Sequence, residues 1–230
     1  MQHPPALAPD YKSTVLRAPH HAPLTLAPSP AEESGPVFGQ TNLAPLDDDL
    51  TRNFATPGEQ AIGPQLVVHG RVQDQNGRPV AGALLEIWQA NAGGRYRHKL
   101  DGYTAPLDPN FGGCGRVLTD AEGAYRFRTV QPAPYPWPNG PNAWRPAHIH
   151  FSVFGAAFAQ RLVTQMYFEG DPLIPLCPIV NAVTSAEAVG RLTARLDISQ
   201  TVPMEALAYR FDIVLRGRQQ TPFENRTEGL

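Results

Sequence analysis

Residues 135–151 of the 230-residue chain read Tyr-Pro-Trp-Pro-Asn-Gly-Pro-Asn-Ala-Trp-Arg-Pro-Ala-His-Ile-His-Phe. The stretch ends in His148 and His150, and on an extended strand two side chains at i and i+2 project to the same side. Ile149 and Phe151 then point the opposite way, as a strand that packs on a core requires. Two imidazoles on one side can bind one metal ion, so the stretch predicts a β-strand with a metal-binding face. The alternative is a pair of surface histidines or of hydrogen-bonded core histidines.

The loop before these histidines is stiffened by prolines at positions 136, 138, 141 and 146. Each proline fixes its own φ and restricts the residue before it. The same loop carries Tyr135, Trp137, Trp144 and Arg145. We expect the loop to hold these side chains in fixed positions beside the histidines.

Composition limits the class of protein. The formal net charge is −2 and the pI about 6.4, which implies no broad attraction to nucleic acid or to anionic lipid. The only two cysteines, Cys114 and Cys177, make no disulfide framework. The start of the chain does not resemble a signal peptide, and no apolar run approaches the roughly 20 residues of a membrane span. We therefore expect a cytoplasmic protein with reduced thiols.

The hydrophobic pattern predicts an all-β fold. The expected architecture is a β-sandwich of short, mainly antiparallel strands with long loops and one or two short helices. A turn at residues 74–79, between strand-like runs that begin at Gln65 and end at Gln89, indicates a hairpin-like unit. Ser185 is a plausible N-cap for a helix that runs to Leu196. The other strands are expected at 116–120, 124–130, 148–154, 157–168 and 207–216.

The chain divides near residue 60. Residues 1–60 are rich in proline and show little periodicity, yet they contain too many apolar residues for a free linker. We interpret them as an N-terminal arm that contacts a partner subunit, with a disordered tail as the alternative. Residues 61–230 form the predicted β-sandwich domain.

Two histidines are too few to hold a catalytic metal, so further ligands must come from elsewhere. A carboxylate would indicate an Fe(II) site, and a third histidine would indicate zinc. Tyrosines at Tyr96 and Tyr135 offer a third possibility, because a trivalent cation can deprotonate phenols and bind them. Two phenolates with two imidazoles would favour Fe(III), although spacing alone leaves the three possibilities open.

Longer motifs resemble one known family. Residues 91–96 read Asn-Ala-Gly-Gly-Arg-Tyr, residues 107–113 read Leu-Asp-Pro-Asn-Phe-Gly-Gly, and residues 167–175 read Tyr-Phe-Glu-Gly-Asp-Pro-Leu-Ile-Pro. Together with residues 135–151 they strongly resemble the intradiol ring-cleavage dioxygenases. The resemblance runs from about Tyr11 to Asn225.

The resemblance implies one non-haem Fe(III) per chain, bound by Tyr96, Tyr135, His148 and His150. It also implies that Tyr135 acts as ligand and then as base. The further residues that match the family's site are Arg145 and Gln165, which would stabilise anionic intermediates, and Trp137 and Ile179, which would line the substrate pocket. For Trp137 and Ile179 the alternative is plain packing, and for Arg145 it is a surface salt bridge.

The implied reaction inserts O2 into 3,4-dihydroxybenzoate to give 3-carboxy-cis,cis-muconate, a step of aromatic catabolism in the β-ketoadipate pathway. The implied partner is an α subunit of the same fold, in an αβ heterodimer within a larger oligomer. One alternative is a catechol or hydroxyquinol 1,2-dioxygenase, which shares every metal ligand. Another, of a different class, is a non-catalytic transthyretin-like binding module or assembly subunit.

Overall fold

The protein is described by a computed structural model at residues 7–19, 21, 43–155, 161–183 and 185–224. The elements within these ranges are mostly strands. The strands are β1 Gln65–Gln73, β2 Leu84–Gln89, β3 Cys114–Leu118, β4 Ala124–Val130, β5 Tyr135–Pro136, β6 Trp144–Arg145, β7 His148–Phe154, β8 Arg161–Phe168, β9 Thr193–Leu196, β10 Ala206–Arg210 and β11 Ile213–Val214. The helices are α1 Lys12–Arg17, α2 Pro178–Asn181 and α3 Ala186–Gly190, with 3-10 turns at Ile174–Leu176 and Ile198–Gln200.

Over these ranges, nine of the strands form one hydrogen-bonded sheet in the order β4-β1-β10-β9-β8-β7-β2-β3, and β11 extends the β10 edge of β1. Most neighbours are antiparallel, whereas β10 and β11 run parallel to β1, and β9 runs parallel to β8. The two end strands, β3 and β4, approach each other, so the sheet nearly closes like a barrel. The prediction of an all-β fold with few short helices is confirmed in this form.

The core lies inside this curved sheet. Phe127 of β4 and Phe151 of β7 are both buried, with ring centroids 5.9 Å apart. Ile149 joins the same apolar cluster. Each such side chain contributes roughly 1.5–3 kcal/mol on burial. Because Ile149 and Phe151 face the core, the histidines between and before them face the other side of β7, as the alternation predicts.

The hairpin predicted for residues 65–89 is wrong. β1 pairs with β4 on one edge and with β10 and β11 on the other, while β2 pairs with β3 and β7. The intervening turn closes only a single bridge, between Gln73 and Pro79. Both edges of β1 are therefore occupied, and β2 crosses to the opposite half of the sheet.

The helix predicted from Ser185 is shorter than expected. Ser185 does cap it, since its Oγ accepts a hydrogen bond from the Ala188 N–H at 3.3 Å. The helix ends at Gly190, however, and residues 193–196 form β9 between β8 and β10. The hydrogen bonds available in that gap of the sheet override a helical spacing of apolar residues.

The strand predicted for residues 207–216 is interrupted. β10 ends at Arg210, and the last hydrogen bond of its parallel pairing with β1 runs from the Phe211 N–H to the carbonyl of His69, at 2.8 Å. A Cβ on Gly70 would lie 1.9 Å from the Phe211 oxygen, so only glycine permits this approach. The interruption shifts the alternation, and Leu207 is exposed although the pattern assigned it to the face of Phe211.

Candidate metal centre

Four side chains converge on one point beside β7. The Tyr96 hydroxyl lies 3.4 Å from His148 Nε2 and 3.1 Å from His150 Nε2. The Tyr135 hydroxyl lies 3.3 Å from His148 Nε2. The two imidazole rings are nearly perpendicular, with centroids 4.9 Å apart. The structure thus brings together all four residues proposed from the sequence as metal ligands.

Both histidines direct the same nitrogen towards this point. His148 Nδ1 lies 2.7 Å from the carbonyl oxygen of Pro146, and His150 Nδ1 lies 3.0 Å from a carboxylate oxygen of Glu224. These partners only accept hydrogen bonds, so each Nδ1 carries the proton in the neutral ring and each Nε2 keeps its lone pair. Burial, with the nearby charges of Arg145 and His150, holds the pKa of His148 well below its usual value. His148 is therefore a neutral imidazole, the form that binds metals.

Tyr96 reaches the centre from a tight turn after β2. The Asn91 side chain accepts hydrogen bonds from the backbone N–H of Gly93 and of Arg95 and so closes the turn. Gly94 has φ of +82°, and a Cβ there would lie 2.6 Å from the carbonyl oxygen of Pro134. This close approach places the Tyr96 turn directly against the residue that precedes Tyr135.

Tyr135 and Arg145 are held side by side. The loop predicted to be stiff closes as a two-residue ladder, in which β5 pairs with β6 and Tyr135 lies opposite Arg145. β7 begins three residues after Arg145. One short segment therefore supplies a phenol, a guanidinium and both imidazoles.

The donor set fits a trivalent transition-metal ion. Donors about 2 Å from a shared ion, at angles of 90–120°, are roughly 2.9–3.6 Å apart, and the three measured separations of 3.1–3.4 Å lie in that range. Burial raises the pKa of Tyr96 and of Tyr135, so only a strongly charged cation would deprotonate both phenols. Within the described ranges no cluster of three or more His, Cys, Asp or Glu could hold a metal, so a metal here would depend on the phenol oxygens.

Arg145 is buried, 5% exposed, at the edge of the centre. Its Nη2 donates hydrogen bonds to Gln165 Oε1 and to Tyr167 Oη, and its guanidinium lies 5.6 Å from the centre of the Trp137 ring. No described carboxylate forms an ion pair with it, and its Nε has no hydrogen-bond partner. The surface-salt-bridge alternative is therefore wrong, and a buried cation of this kind suits an anionic ligand.

The two predicted pocket residues lie in the second apolar cluster of the molecule. Ile179, on α2, is a member of this cluster, and Trp137 packs against it. Trp137 Nε1 is buried without a hydrogen-bond partner. Both residues are therefore packed side chains, as the alternative interpretation predicts. Trp137 lies beside Arg145, and Ile179 belongs to the same cluster as Tyr167. Their contact with a substrate stays a prediction.

The described part of the N-terminal arm packs on its own chain. The Tyr11 ring lies 5.3 Å from the Trp137 ring, centroid to centroid. Asn139 accepts a hydrogen bond from the Lys12 N–H at 2.7 Å and donates one to the Asp10 carbonyl at 2.8 Å. Residues 1–6, 20 and 22–42 of the arm lie outside the described residues, and its contact with a partner stays a prediction.

Comparison with known proteins assigns the family. A family model described as "Dioxygenase" matches residues 33–217, and a model of the protocatechuate 3,4-dioxygenase β subunit N terminus matches residues 2–29. The protocatechuate 3,4-dioxygenase β chain of Burkholderia cepacia is 53% identical over 96% of this chain and 94% of its own length. This chain belongs to the intradiol dioxygenases. It is therefore an enzyme, as the sequence predicted.

Two further relatives are less similar to this chain than the Burkholderia cepacia protein. Catechol 1,2-dioxygenase 1 of Acinetobacter lwoffii is 40% identical over 64% of this chain and 48% of its own length. The crystal structure of 3-chlorocatechol 1,2-dioxygenase from Rhodococcus opacus 1CP superimposes with a TM-score of 0.54, at 27% identity, over 80% of this chain and 71% of that one. Over the described residues, no helix of this intradiol dioxygenase has the length and apolarity needed to cross a membrane.

Sequence reasoning missed three residues at the centre of this intradiol dioxygenase. The Trp88 ring stacks on His150, with centroids 4.8 Å apart and planes 7° apart. Tyr167 donates a hydrogen bond to Gln165 at 2.7 Å, and its i+2 spacing from Gln165 on one strand could have revealed it. Glu224 contacts His150 from 74 positions away, and no local pattern indicates that contact. Burial acts to raise the pKa of Glu224, but the hydrogen bond and charge of His150 outweigh it and leave that pKa below its usual value.

Proposed function

We propose that this chain is the iron-binding β subunit of a protocatechuate 3,4-dioxygenase. In the proposed reaction both atoms of O2 enter 3,4-dihydroxybenzoate, and the product is 3-carboxy-cis,cis-muconate. The observation that carries the proposal is the convergence of two phenol oxygens and two imidazole Nε2 atoms, which are linked by three phenol–imidazole distances of 3.1–3.4 Å. Tyr96, Tyr135, His148 and His150 would hold one Fe(III). A Lewis acid of this charge chelates a catechol and polarises its ring towards attack by O2.

Tyr135 would provide the base for the catechol. Its hydroxyl lies at the centre, 3.3 Å from His148 Nε2. Burial raises the pKa of this phenol, so its phenolate would have a high affinity for a proton. Tyr135 can therefore accept a proton from a catechol hydroxyl at its own oxygen.

Arg145 and Gln165 would bind the negative charge that develops on the substrate. Arg145 Nε and Gln165 Nε2 are buried without a hydrogen-bond partner. The Gln165 side chain also lies close to Glu224 and helps to lower the pKa of that carboxyl. Preorganised donors in a buried site stabilise developing charge strongly, because they need no reorganisation during the reaction. Trp137 and Ile179 would hold the aromatic ring and exclude water.

The proposed assembly is an αβ pair within a larger oligomer. The proposed chain has an arm at residues 1–60 and a catalytic β-sandwich domain at residues 61–230. The match of residues 2–29 to the N-terminal model of protocatechuate 3,4-dioxygenase β subunits supports the first part of this arm. An α subunit of the same fold would contact the arm and contribute to recognition of the substrate carboxylate.

The test is a visible absorption spectrum of the purified protein, made with and without an α subunit. We expect a red-brown charge-transfer band from phenolate to Fe(III), which shifts when 3,4-dihydroxybenzoate is added without O2. A substrate panel then separates the activities. Cleavage of catechol or hydroxyquinol in preference to 3,4-dihydroxybenzoate would identify a 1,2-dioxygenase, and a colourless protein that takes up no Fe(III) would overturn the proposal.

A further inference from the structure

The two histidines of the centre differ in what lies behind them. His148 Nδ1 meets a neutral carbonyl, that of Pro146, at 2.7 Å. His150 Nδ1 meets the Glu224 carboxylate at 3.0 Å, and the Glu224 side chain is only 18% exposed. A carboxylate accepts a hydrogen bond from an imidazole more strongly than a carbonyl does. The two Nε2 atoms are therefore unequal electron donors.

The Glu224 carboxylate is held in place by its own backbone. The Glu224 N–H donates a hydrogen bond to the carbonyl of Val163 on β8 at 2.8 Å. Two residues earlier, the Pro222 carbonyl accepts one from the Thr164 hydroxyl at 2.6 Å. The Thr221 N–H in turn bonds to the carbonyl of Val214 on β11, at 2.9 Å. Residues 221–224 are thus tied to two strands, and this tie aims one carboxylate at His150.

His150 is fixed from a second direction as well. Trp88 lies opposite it on β2, and the two rings stack with planes 7° apart. The stack restricts tilting of the imidazole, while the hydrogen bond to Glu224 restricts its rotation and sets its tautomer. With both restraints present, Nε2 has one direction available, towards the Tyr96 hydroxyl at 3.1 Å.

We propose that Glu224 is a positioning residue that orients His150 and sets the affinity of the centre for its metal. A carboxylate behind a histidine ligand increases the basicity of the imidazole, and loss of such a group typically costs about 10–100-fold in metal affinity. This inference rests on the proposed function, because it requires that His150 binds Fe(III). In this role Glu224 acts through its hydrogen bond to His150.

The test compares two variants with a matched control. Glu224→Gln keeps the shape and an oxygen that can accept the Nδ1–H, but it removes the charge; Glu224→Ala removes both. Glu122→Gln is the control, because it removes an exposed carboxylate from the turn between β3 and β4. The measurements are the rate of Fe(III) loss to a chelator, the wavelength of the charge-transfer band, and the melting temperature of the iron-free protein.

We expect Glu224→Ala to weaken Fe(III) binding by about 10–100-fold, and Glu224→Gln to weaken it less. We also expect both variants to shift the band to longer wavelength, because a poorer imidazole donor leaves the ion a better electron acceptor. If both variants keep the parent's rate of iron loss and band while the iron-free protein melts lower, Glu224 is only a structural tie and the inference is overturned. A parent protein that binds no Fe(III) overturns the proposed function as well.

Discussion

The two roles proposed for Tyr135, metal ligand and base, both belong to one oxygen atom, and a single substitution separates these roles from the fold. Tyr135→Phe removes the hydroxyl that lies 3.3 Å from His148 Nε2 but keeps the ring. We expect the variant to retain iron through Tyr96 and the two histidines, and to lose about 10²–10⁴-fold in kcat/KM, the usual contribution of a general base.

The measurement for Tyr135→Phe is steady-state ring cleavage together with iron content. Tyr103→Phe is the control, because Tyr103 lies in the neighbouring loop against Trp144 and is not one of the four converging residues. Unchanged kinetics in Tyr135→Phe would remove this hydroxyl from the reaction.

The role proposed for Arg145 is to supply positive charge at the site and not to bind the metal. Arg145→Ala leaves the four proposed ligands in place but removes the buried cation beside Gln165 and Tyr167. We expect ring opening to slow by about 10²–10³-fold, as for the loss of one oxyanion donor, with iron content unchanged. Arg145→Lys should recover part of the rate, since it restores the charge without the planar donor geometry. Loss of iron from the alanine variant would instead make Arg145 a structural residue.

At the scale of residues, the sequence predicts what lies in short motifs. The i and i+2 histidines and Tyr135 occupy sixteen consecutive positions, and periodicity with the stiff loop indicates their grouping. Tyr96 lies 52 positions before His148, and it was assigned by resemblance to a family rather than by spacing. Glu224 lies 74 positions after His150. Its placement follows from backbone hydrogen bonds to β8, which no local pattern encodes.

At the scale of elements, one glycine sets the distance between the two tyrosine segments. Gly94 has φ of +82°, and a Cβ there would approach the Pro134 carbonyl oxygen to 2.6 Å. Gly94→Ala should therefore push the Tyr96 turn away from Tyr135 and destabilise the protein by about 1–3 kcal/mol, the cost of a strained backbone. Metal affinity should fall with it.

The check on Gly94→Ala is chemical denaturation with an Fe(III) titration. Gly102→Ala is the matched control, because Gly102 follows Tyr96 in the same loop and a Cβ there meets nothing within 4 Å. Equal stability and equal iron affinity in the two variants would mean that the turn does not depend on this approach.

The elements themselves were predictable where polar and apolar residues alternate along the sequence, as at Ala124–Val130 and His148–Phe154. The strands with which these elements pair were not predictable. The turn at residues 74–79 is a real turn, yet β1 and β2 join different halves of the sheet. Likewise, the apolar spacing after Ser185 is typical of a helix. Residues 193–196 nevertheless form β9, because the gap between β8 and β10 offers them sheet hydrogen bonds. Pairing is decided by the whole sheet, so a single segment cannot reveal it.

At the scale of the molecule, the proposed active site is enclosed by parts of the chain that are far apart in sequence. Residues 221–224 reach it from one side along β8. From another side, the segment 7–19 covers the loop that carries Tyr135 and Trp137. Asn139 joins that segment to the loop, with hydrogen bonds to residues 127 and 129 positions earlier.

Asn139→Ala should therefore weaken the attachment of residues 7–19 to the loop that carries Tyr135 and Trp137. Asn139 is buried, and the change leaves the Lys12 N–H and the Asp10 carbonyl without their partner. Asp10 and Lys12 are exposed residues, so each lost hydrogen bond should lower the free energy of unfolding by its ordinary net contribution of about 0.5–1.5 kcal/mol. Because Tyr11 packs on Trp137, a loosened segment should also raise KM for 3,4-dihydroxybenzoate more than it lowers kcat.

Limited proteolysis within residues 7–19, with denaturation and steady-state kinetics, measures this effect. Asn76→Ala is the control, since Asn76 is exposed in the turn after β1 and lies in a different part of the sheet. We expect faster cleavage and a higher KM only in Asn139→Ala. If the segment stays resistant and KM is unchanged, the contact merely packs the N-terminal residues, and the Tyr135 loop keeps its position through the β5–β6 ladder alone.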